Sequence, residues 1–264
     1  MAEPGARARY ADHPNVPRVQ SRTMLMNISS DHIIRSYDDE LKRLTGEIVR
    51  MGEIATAQIA AAVDVVERRD SRAAERVVAN DDAIDQLESS VSHDVLLLLA
   101  RRQPMARDLR EILAALRIAA DIERIGDYAA NVAKRSMALN ISAPIAPVHG
   151  LPTLAEAASG LLTDVLKAYR DGNAELARQV WERDADLDAL YTALFRELLT
   201  YMMEDPRNIT PSTHLLFMAK NFERIGDHAT NIAENVWFLA TGEPLSEVRQ
   251  KGDLTASPEL QPRP

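Results

Sequence analysis

The sequence predicts an all-α protein built as two tandem three-helix bundles of long antiparallel helices. Three observations carry this: the placement of prolines, an internal repeat, and the composition. No proline lies between Pro17 and Pro104, between Pro104 and Pro144, between Pro152 and Pro206, or between Pro211 and Pro244. Proline is expelled from helix interiors because it lacks the N–H and clashes with the preceding turn, so these long stretches, rich in Ala, Leu, Arg and Glu, read as helices. Aromatic residues are only 5% of the chain, which argues against sandwiches and barrels built from aromatic and β-branched strands.

The elements follow in order. Ser36 with Asp39 is placed to cap a first helix over about 37–68, and Asp70 or Ser71 a second over 71–101. Pro104 suits the first turn of a third helix, 104–139. The run NISAPIAPVHGLP, 140–152, is a linker. Thr153 and Glu156 match a capping box for a fourth helix reaching about 170. Gly172 and Asn173 end it and open a fifth, to about 204, and Thr210 with Pro211 opens a sixth, to about 241. The domain expectation is a poorly ordered extension over 1–30, a bundle over 31–140, a linker over 141–152, a second bundle over 153–242 and a flexible tail over 243–264. Connections of a few residues make neighbouring helices antiparallel.

The chain repeats itself. DIERIGDYAANVA at 121–133 returns as NFERIGDHATNIA at 221–233, and DDAIDQL at 81–87 resembles DADLDAL at 184–190. Two matched motifs on corresponding helices indicate a tandem duplication.

Composition excludes several functions. The chain has no cysteine, so disulfides, thiolate zinc sites and cysteine nucleophiles are out. A net charge of −9 argues against a nucleic-acid partner and leaves room for cations. No apolar run approaches the ~18–20 residues of a membrane span. The opening MAEPGARARYADHP lacks the apolar segment of a secretory signal, so a soluble cytoplasmic protein is expected. Phosphate-binding glycine loops, His-Glu-x-x-His and Gly-x-Ser-x-Gly are all missing. His228 reads as a surface histidine, because Tyr128 fills the equivalent place.

ERIGD is unusual inside a helix. Glu123 and Asp127 stand four apart, as do Glu223 and Asp227. Like charges at that spacing are unfavourable by ~0.2–0.5 kcal/mol, and Gly126 and Gly226 each cost ~0.8–1 kcal/mol against Ala. Both penalties recur at the same places in both halves, so something offsets them. At 100° per residue, Ile118, Ile122, Ile125, Ala129 and Val132 form a core stripe, with Met218, Phe222, Ile225, Ala229, Ile232 and Val236 as its counterpart. Val77, Ile84, Leu87, Val91, Val95 and Leu98 form that of the second helix, and Leu187, Leu190, Leu194 and Leu198 that of the fifth. Asp81, Asp85, Asp184 and Asp188 fall on the flanks of these stripes, near the solvent rim. Each half then offers Asp-x-x-x-Asp on one helix and Glu-x-x-x-Asp on another. Four converging carboxylates repel unless protonated or bridged by cations. The candidate metal ligands are Asp81, Asp85, Glu123 and Asp127 in the first half and Asp184, Asp188, Glu223 and Asp227 in the second. Asn131 and Asn231, one turn on, are candidates for an extra carbonyl ligand or for orienting a water. All-oxygen ligation suits hard or borderline cations such as Mg²⁺, Mn²⁺, Ca²⁺ or iron. The same residues also read as a solvated acidic face screened by Arg124 and Arg224, and the pattern alone leaves both readings open.

The two ERIGD motifs, with RRQPMARDLR at 101–110 and LLTYMMEDPRNIT at 198–210, resemble the PhoU family over about 32–241. All eight positions of the family's paired Glu/Asp-x-x-x-Asp motifs are acidic here. The resemblance implies two three-helix bundles carrying surface metal clusters of iron or zinc, with manganese or magnesium also open, and a homodimer. It further implies a non-enzymatic negative regulator of phosphate uptake, acting through a phosphate-transporter ATPase subunit and a membrane sensor histidine kinase. Membrane contact would then come only through those partners. Two other functions stay open: a carboxylate-bridged metal-dependent phosphoesterase, and a metal-buffering structural bundle.

Overall fold

The long proline-free segments fold as seven helices among the described residues. The computed structural model describes residues 21–245, with side chains from Tyr37 onward. Its helices are α1 (Ser21–Arg68), α2 (Ser71–Asn80), α3 (Asp82–Arg102), α4 (Arg107–Leu139), α5 (Leu151–Asp171), α6 (Ala174–Glu204) and α7 (Ile209–Thr241). Short 3-10 turns occupy Ala146–Gly150 and Pro206–Asn208. The described residues contain no strand. Of two compact units, the first, Met1–Glu40, is described only from Ser21; the second, Leu41–Pro264, holds both acidic clusters. Of the poorly ordered ends expected over 1–30 and 243–264, residues 1–20 and 246–264 lie outside the described residues, while 21–30 belong to α1.

Several boundaries follow the sequence. Asp70 caps α2, its carboxylate accepting from the N–H groups of Arg72 and Ala73, each at 3.0 Å. Gly172, at φ 61°, ends α5, and Asn173 caps α6 by accepting from the Leu176 N–H at 3.0 Å. Five boundaries differ. The helix expected to begin at the Ser36 cap starts at Ser21 instead. The second helix is interrupted at Asp81, whose N–H turns back to the Val78 carbonyl at 3.4 Å. The Asp81 side chain makes no capping bond there; its Oδ1 instead accepts from Gln58 of α1. Pro104 lies in a connection rather than in a first turn, because Gln103 (φ 46°) stops α3 and Ala106 (φ 49°) precedes α4. Neither Thr153 nor Thr210 is a cap: α5 starts at Leu151 behind Gly150, and α7 at Ile209 behind the 3-10 turn.

Arg69 shows how the ends are tied. It takes a left-handed conformation (φ 54°) that stops α1, and its guanidinium donates to the carbonyls of Asn140 at 2.8 Å and Ser142 at 2.5 Å. The orphan carbonyls past the C-terminus of α4 thus find their donors.

The stripes expected on α4 and α7 are buried throughout. On α6 the stripe is rotated. Ala177, Val180, Trp181, Asp184, Leu187, Asp188, Tyr191, Leu194 and Leu198 are buried, whereas Leu190 is 36% exposed. Leu190 stands about 120° around the helix from Asp184 at ~100° per residue, outside a stripe that three-and-four spacing carries through both aspartates. Leu87 of α3 is only half-buried.

The halves meet along α4 and α7. Asp121 reaches His228 and Asn231, Tyr128 stacks near His228 and Arg224, and Arg135 lies over the Phe217 ring at 4.1 Å. Partner numbers fall along α7 as they rise along α4, so the two ERIGD helices run antiparallel.

Candidate functional site

In the first half, α1, the break between α2 and α3, and α4 bring the acidic residues together. Asp81, at the break, is buried, and its Oδ1 accepts from Gln58 Nε2 of α1 at 3.0 Å. The same amide donates to the carbonyl of Gly126 at 3.4 Å. A Cβ at Gly126 would stand 3.0 Å from Asp81 Oδ1 and 2.8 Å from Ile84 Cδ1. The ERIGD glycine is therefore what lets Asp81 close on α4. Burial, first, lifts the Asp81 carboxyl above its ordinary pKa; the Gln58 hydrogen bond opposes this, and the charges of Asp127 and Asp85 add to it. Asp85 and Glu123 are raised too, by burial and then by Asp127. The charge of Asp127 thus acts on Asp81, Asp85 and Glu123, and Glu88 is a fifth acid acting on Asp85 and Glu123. Arg124 lies 3.2 Å from Asp127 and 3.5 Å from Glu123.

The second half repeats the plan with deeper burial. Asp184 is 1%, Asp188 3% and Glu223 5% exposed, and Asp227 is half-buried. The flank position expected for Asp184 and Asp188 is corrected: both lie in the buried stripe of α6. A Cβ at Gly226 would stand 2.7 Å from Asp184 Oδ1 and press on Leu187. Burial raises the Glu223 carboxyl, the Lys220 hydrogen bond opposes it, and Asp227 and Asp188 reinforce it.

Several residues behave differently from the sequence expectation. Asn231 Nδ2 donates across the seam to Asp121 Oδ1 at 3.4 Å. Asn131 is half-buried. His228 is not a plain surface group, since its Nδ1 lies 2.8 Å from Asp121 Oδ1. Sequence reasoning passed over Gln58, Glu88 and Lys220. Gln58 stood in view as a polar residue within the buried series Met51, Ala55, Ile59 and Ala62 of α1, and Lys220 as a cation three residues before Glu223.

A cation is the ligand to test against these clusters. Among the described residues, no three His, Asp or Glu side chains stand in an arrangement ready to hold a metal ion. The donor set nevertheless fits a hard cation. Its members are all carboxylates, with oxygen as the donor atom, and Glu223 Oε2 is buried without a hydrogen-bond partner.

The shifts give a stability expectation. A carboxyl whose folded pKa exceeds its unfolded value contributes stability below the unfolded pKa of about 4, and loses it as pH rises through the folded pKa. Asp81→Asn, isosteric and still able to accept from Gln58, removes that loss. In metal-free buffer, its melting temperature relative to wild type should rise between pH 4 and pH 7. A constant offset across that range would refute the expectation.

Fold and site together define an internally duplicated helical protein that carries one acidic, cation-compatible cluster on each repeat. A family model described as the PhoU domain matches residues 48–136 and again 151–236. The chain belongs to the PhoU family. It is 63% identical over 236 residues to a phosphate-specific transport system accessory protein PhoU homolog of Xylella fastidiosa, covering 89% of this chain and 100% of that one. The homolog from Rhizobium meliloti is 48% identical over 87% of this chain and 98% of its own. Among solved structures, the crystal structure of PhoU from Pseudomonas aeruginosa aligns with a TM-score of 0.75 at 35% identity, over 78% of this chain and all of that one. The phosphate transport system regulatory protein PhoU from Streptococcus pneumoniae aligns with a TM-score of 0.74 at 27% identity, over 80% of this chain and all of that one. No described helix is long and apolar enough to cross a membrane.

Proposed function

We propose that the chain is a non-enzymatic, metal-binding regulator of phosphate uptake. It acts in the cytoplasm as a homodimeric adaptor between a phosphate-transporter ATPase subunit and a sensor histidine kinase, and it represses phosphate-starvation genes when phosphate is plentiful. The observation that carries the reading is the pairing of two PhoU-domain matches with an acidic cluster on each repeat. The names of the relatives, as accessory and regulatory proteins of phosphate transport, support the pathway. Asp81, Asp85, Glu123 and Asp127 would hold one set of ions, and Asp184, Asp188, Glu223 and Asp227 the other. Bound cations supply positive charge to these faces, which turns repelling carboxylate arrays into surfaces that a protein partner can approach.

The test is genetic. Deleting the gene should leave a phosphate-starvation reporter fully expressed in phosphate-rich medium, and a plasmid copy should restore repression. Normal repression in the deletion strain would sink the regulatory reading. Co-purification of the ATPase subunit and the kinase with the tagged protein checks the adaptor role separately.

A further inference from the structure

The two clusters differ in the cation that contacts them. Glu123 and Asp127 correspond to Glu223 and Asp227, but Ala120 in the first half corresponds to Lys220 in the second. Lys220 Nζ donates to Glu223 Oε1 at 2.7 Å, with the Lys220 side chain 31% and the Glu223 side chain 6% exposed. The ammonium also lies 5.0 Å from the centre of the Tyr191 ring, and Tyr191 stands where the first half has Glu88. The second half therefore buries three carboxylates and places an ammonium on one of them. In the first half, Arg124 lies at hydrogen-bond distance with its side chain 59% exposed, and the charge of Lys134 also acts on Asp81. Such exposed pairs contribute little, whereas a charge-assisted bond to a buried carboxylate is strong and costly to break.

We propose that Lys220 is a built-in counter-ion of the second cluster, which an added cation must displace, so that the first half takes up cations before the second. This rests on the reading that the clusters bind cations. The ammonium has a way out, because the Lys220 side chain is partly exposed and long enough to turn its charge to solvent. Glu223 also keeps capacity for a ligand, since its Oε2 is buried with no hydrogen-bond partner. At the first cluster, Arg124 is exposed and gives way at little cost.

Titration of the full-length protein with Mn²⁺, counting free ion by its paramagnetic resonance signal, tests the order of filling. Wild type should show two classes of site. Glu123→Gln with Asp127→Asn should remove the tighter class. Lys220→Met, which keeps the stem and loses the charge, should tighten the weaker class at least tenfold, about 1.4 kcal/mol. Lys220→Arg should leave it weak. An unchanged weaker class in Lys220→Met would overturn the proposal while the cation reading stands. So would loss of the weaker class in the first-half double variant. Absence of any Mn²⁺ uptake by wild type would overturn the cation reading itself. A readout without metal separates the two further: in chelator, Lys220→Met should melt below wild type and Lys220→Arg near it. Equal melting of Lys220→Met and wild type would show that Lys220 is no counter-ion.

Discussion

Glu123→Gln combined with Asp127→Asn is expected to empty the first cluster of metal and leave the second loaded. Both changes are isosteric and remove only charge. In the metal-free protein they relieve a like-charge pair worth ~0.2–0.5 kcal/mol and forfeit two exposed contacts with Arg124 that contribute little. Melting in chelator should therefore shift little, or slightly upward. With metal present the balance reverses. A ligand that binds only the native state stabilises it by about 2.7 kcal/mol at 100 times its dissociation constant. For a protein of this size ~1 kcal/mol moves the melting temperature by ~2–4 °C, so wild type should gain on the order of 5–10 °C that the double variant lacks. Elemental analysis of protein purified without chelator or affinity tag gives the direct check. Equal metal content in the two proteins would rule out this assignment of ligands.

Much of the architecture was legible because proline and duplication are global signals. A proline-free stretch excludes alternatives over its whole length, and a repeated five-residue motif ties two distant helices to one geometry. Features settled by tertiary packing were less legible. The rotation of the α6 stripe places Asp184 and Asp188 inside and Leu190 outside, and an apolarity count cannot find this because it assigns every leucine to the core. The break at Asp81 goes with a carboxylate engaged by Gln58 of α1, a partner that no local pattern shows. At the site, the paired carboxylates were visible as i, i+4 spacings, but their neighbours from other helices were not. Gln58 reaches Asp81 from α1, and Asp121 draws His228 and Asn231 across the seam. Such partners lie far away in sequence, and only the fold brings them together.

Three single alanine substitutions in helix interiors should separate the intrinsic cost of glycine from its packing role. At Gly46 of α1 a Cβ meets nothing within 4 Å, so Gly46→Ala should realise the full helix-propensity gain of ~0.8–1 kcal/mol. At Gly226 the same Cβ would press on Leu187 and stand 2.7 Å from Asp184 Oδ1. Both neighbours are 1% exposed and have no free space to enter. Overpacking of this kind costs ~1–3 kcal/mol, which exceeds the propensity gain, so Gly226→Ala should be destabilised by up to ~2 kcal/mol net. Gly126→Ala should follow with a smaller loss, since its contacts are 2.8 Å to Ile84 and 3.0 Å to Asp81, and Asp81 is less deeply buried than Asp184. The melting order expected in chelator is Gly46→Ala above wild type, then Gly126→Ala, then Gly226→Ala. Because the obstructing atoms at both ERIGD glycines include a cluster carboxylate oxygen, these two variants should also weaken Mn²⁺ binding, each in its own half, whereas Gly46→Ala should bind as wild type does. If Gly226→Ala melts above wild type, the close approach of α6 to α7 does not account for the glycine, and its retention against helix propensity needs another cause.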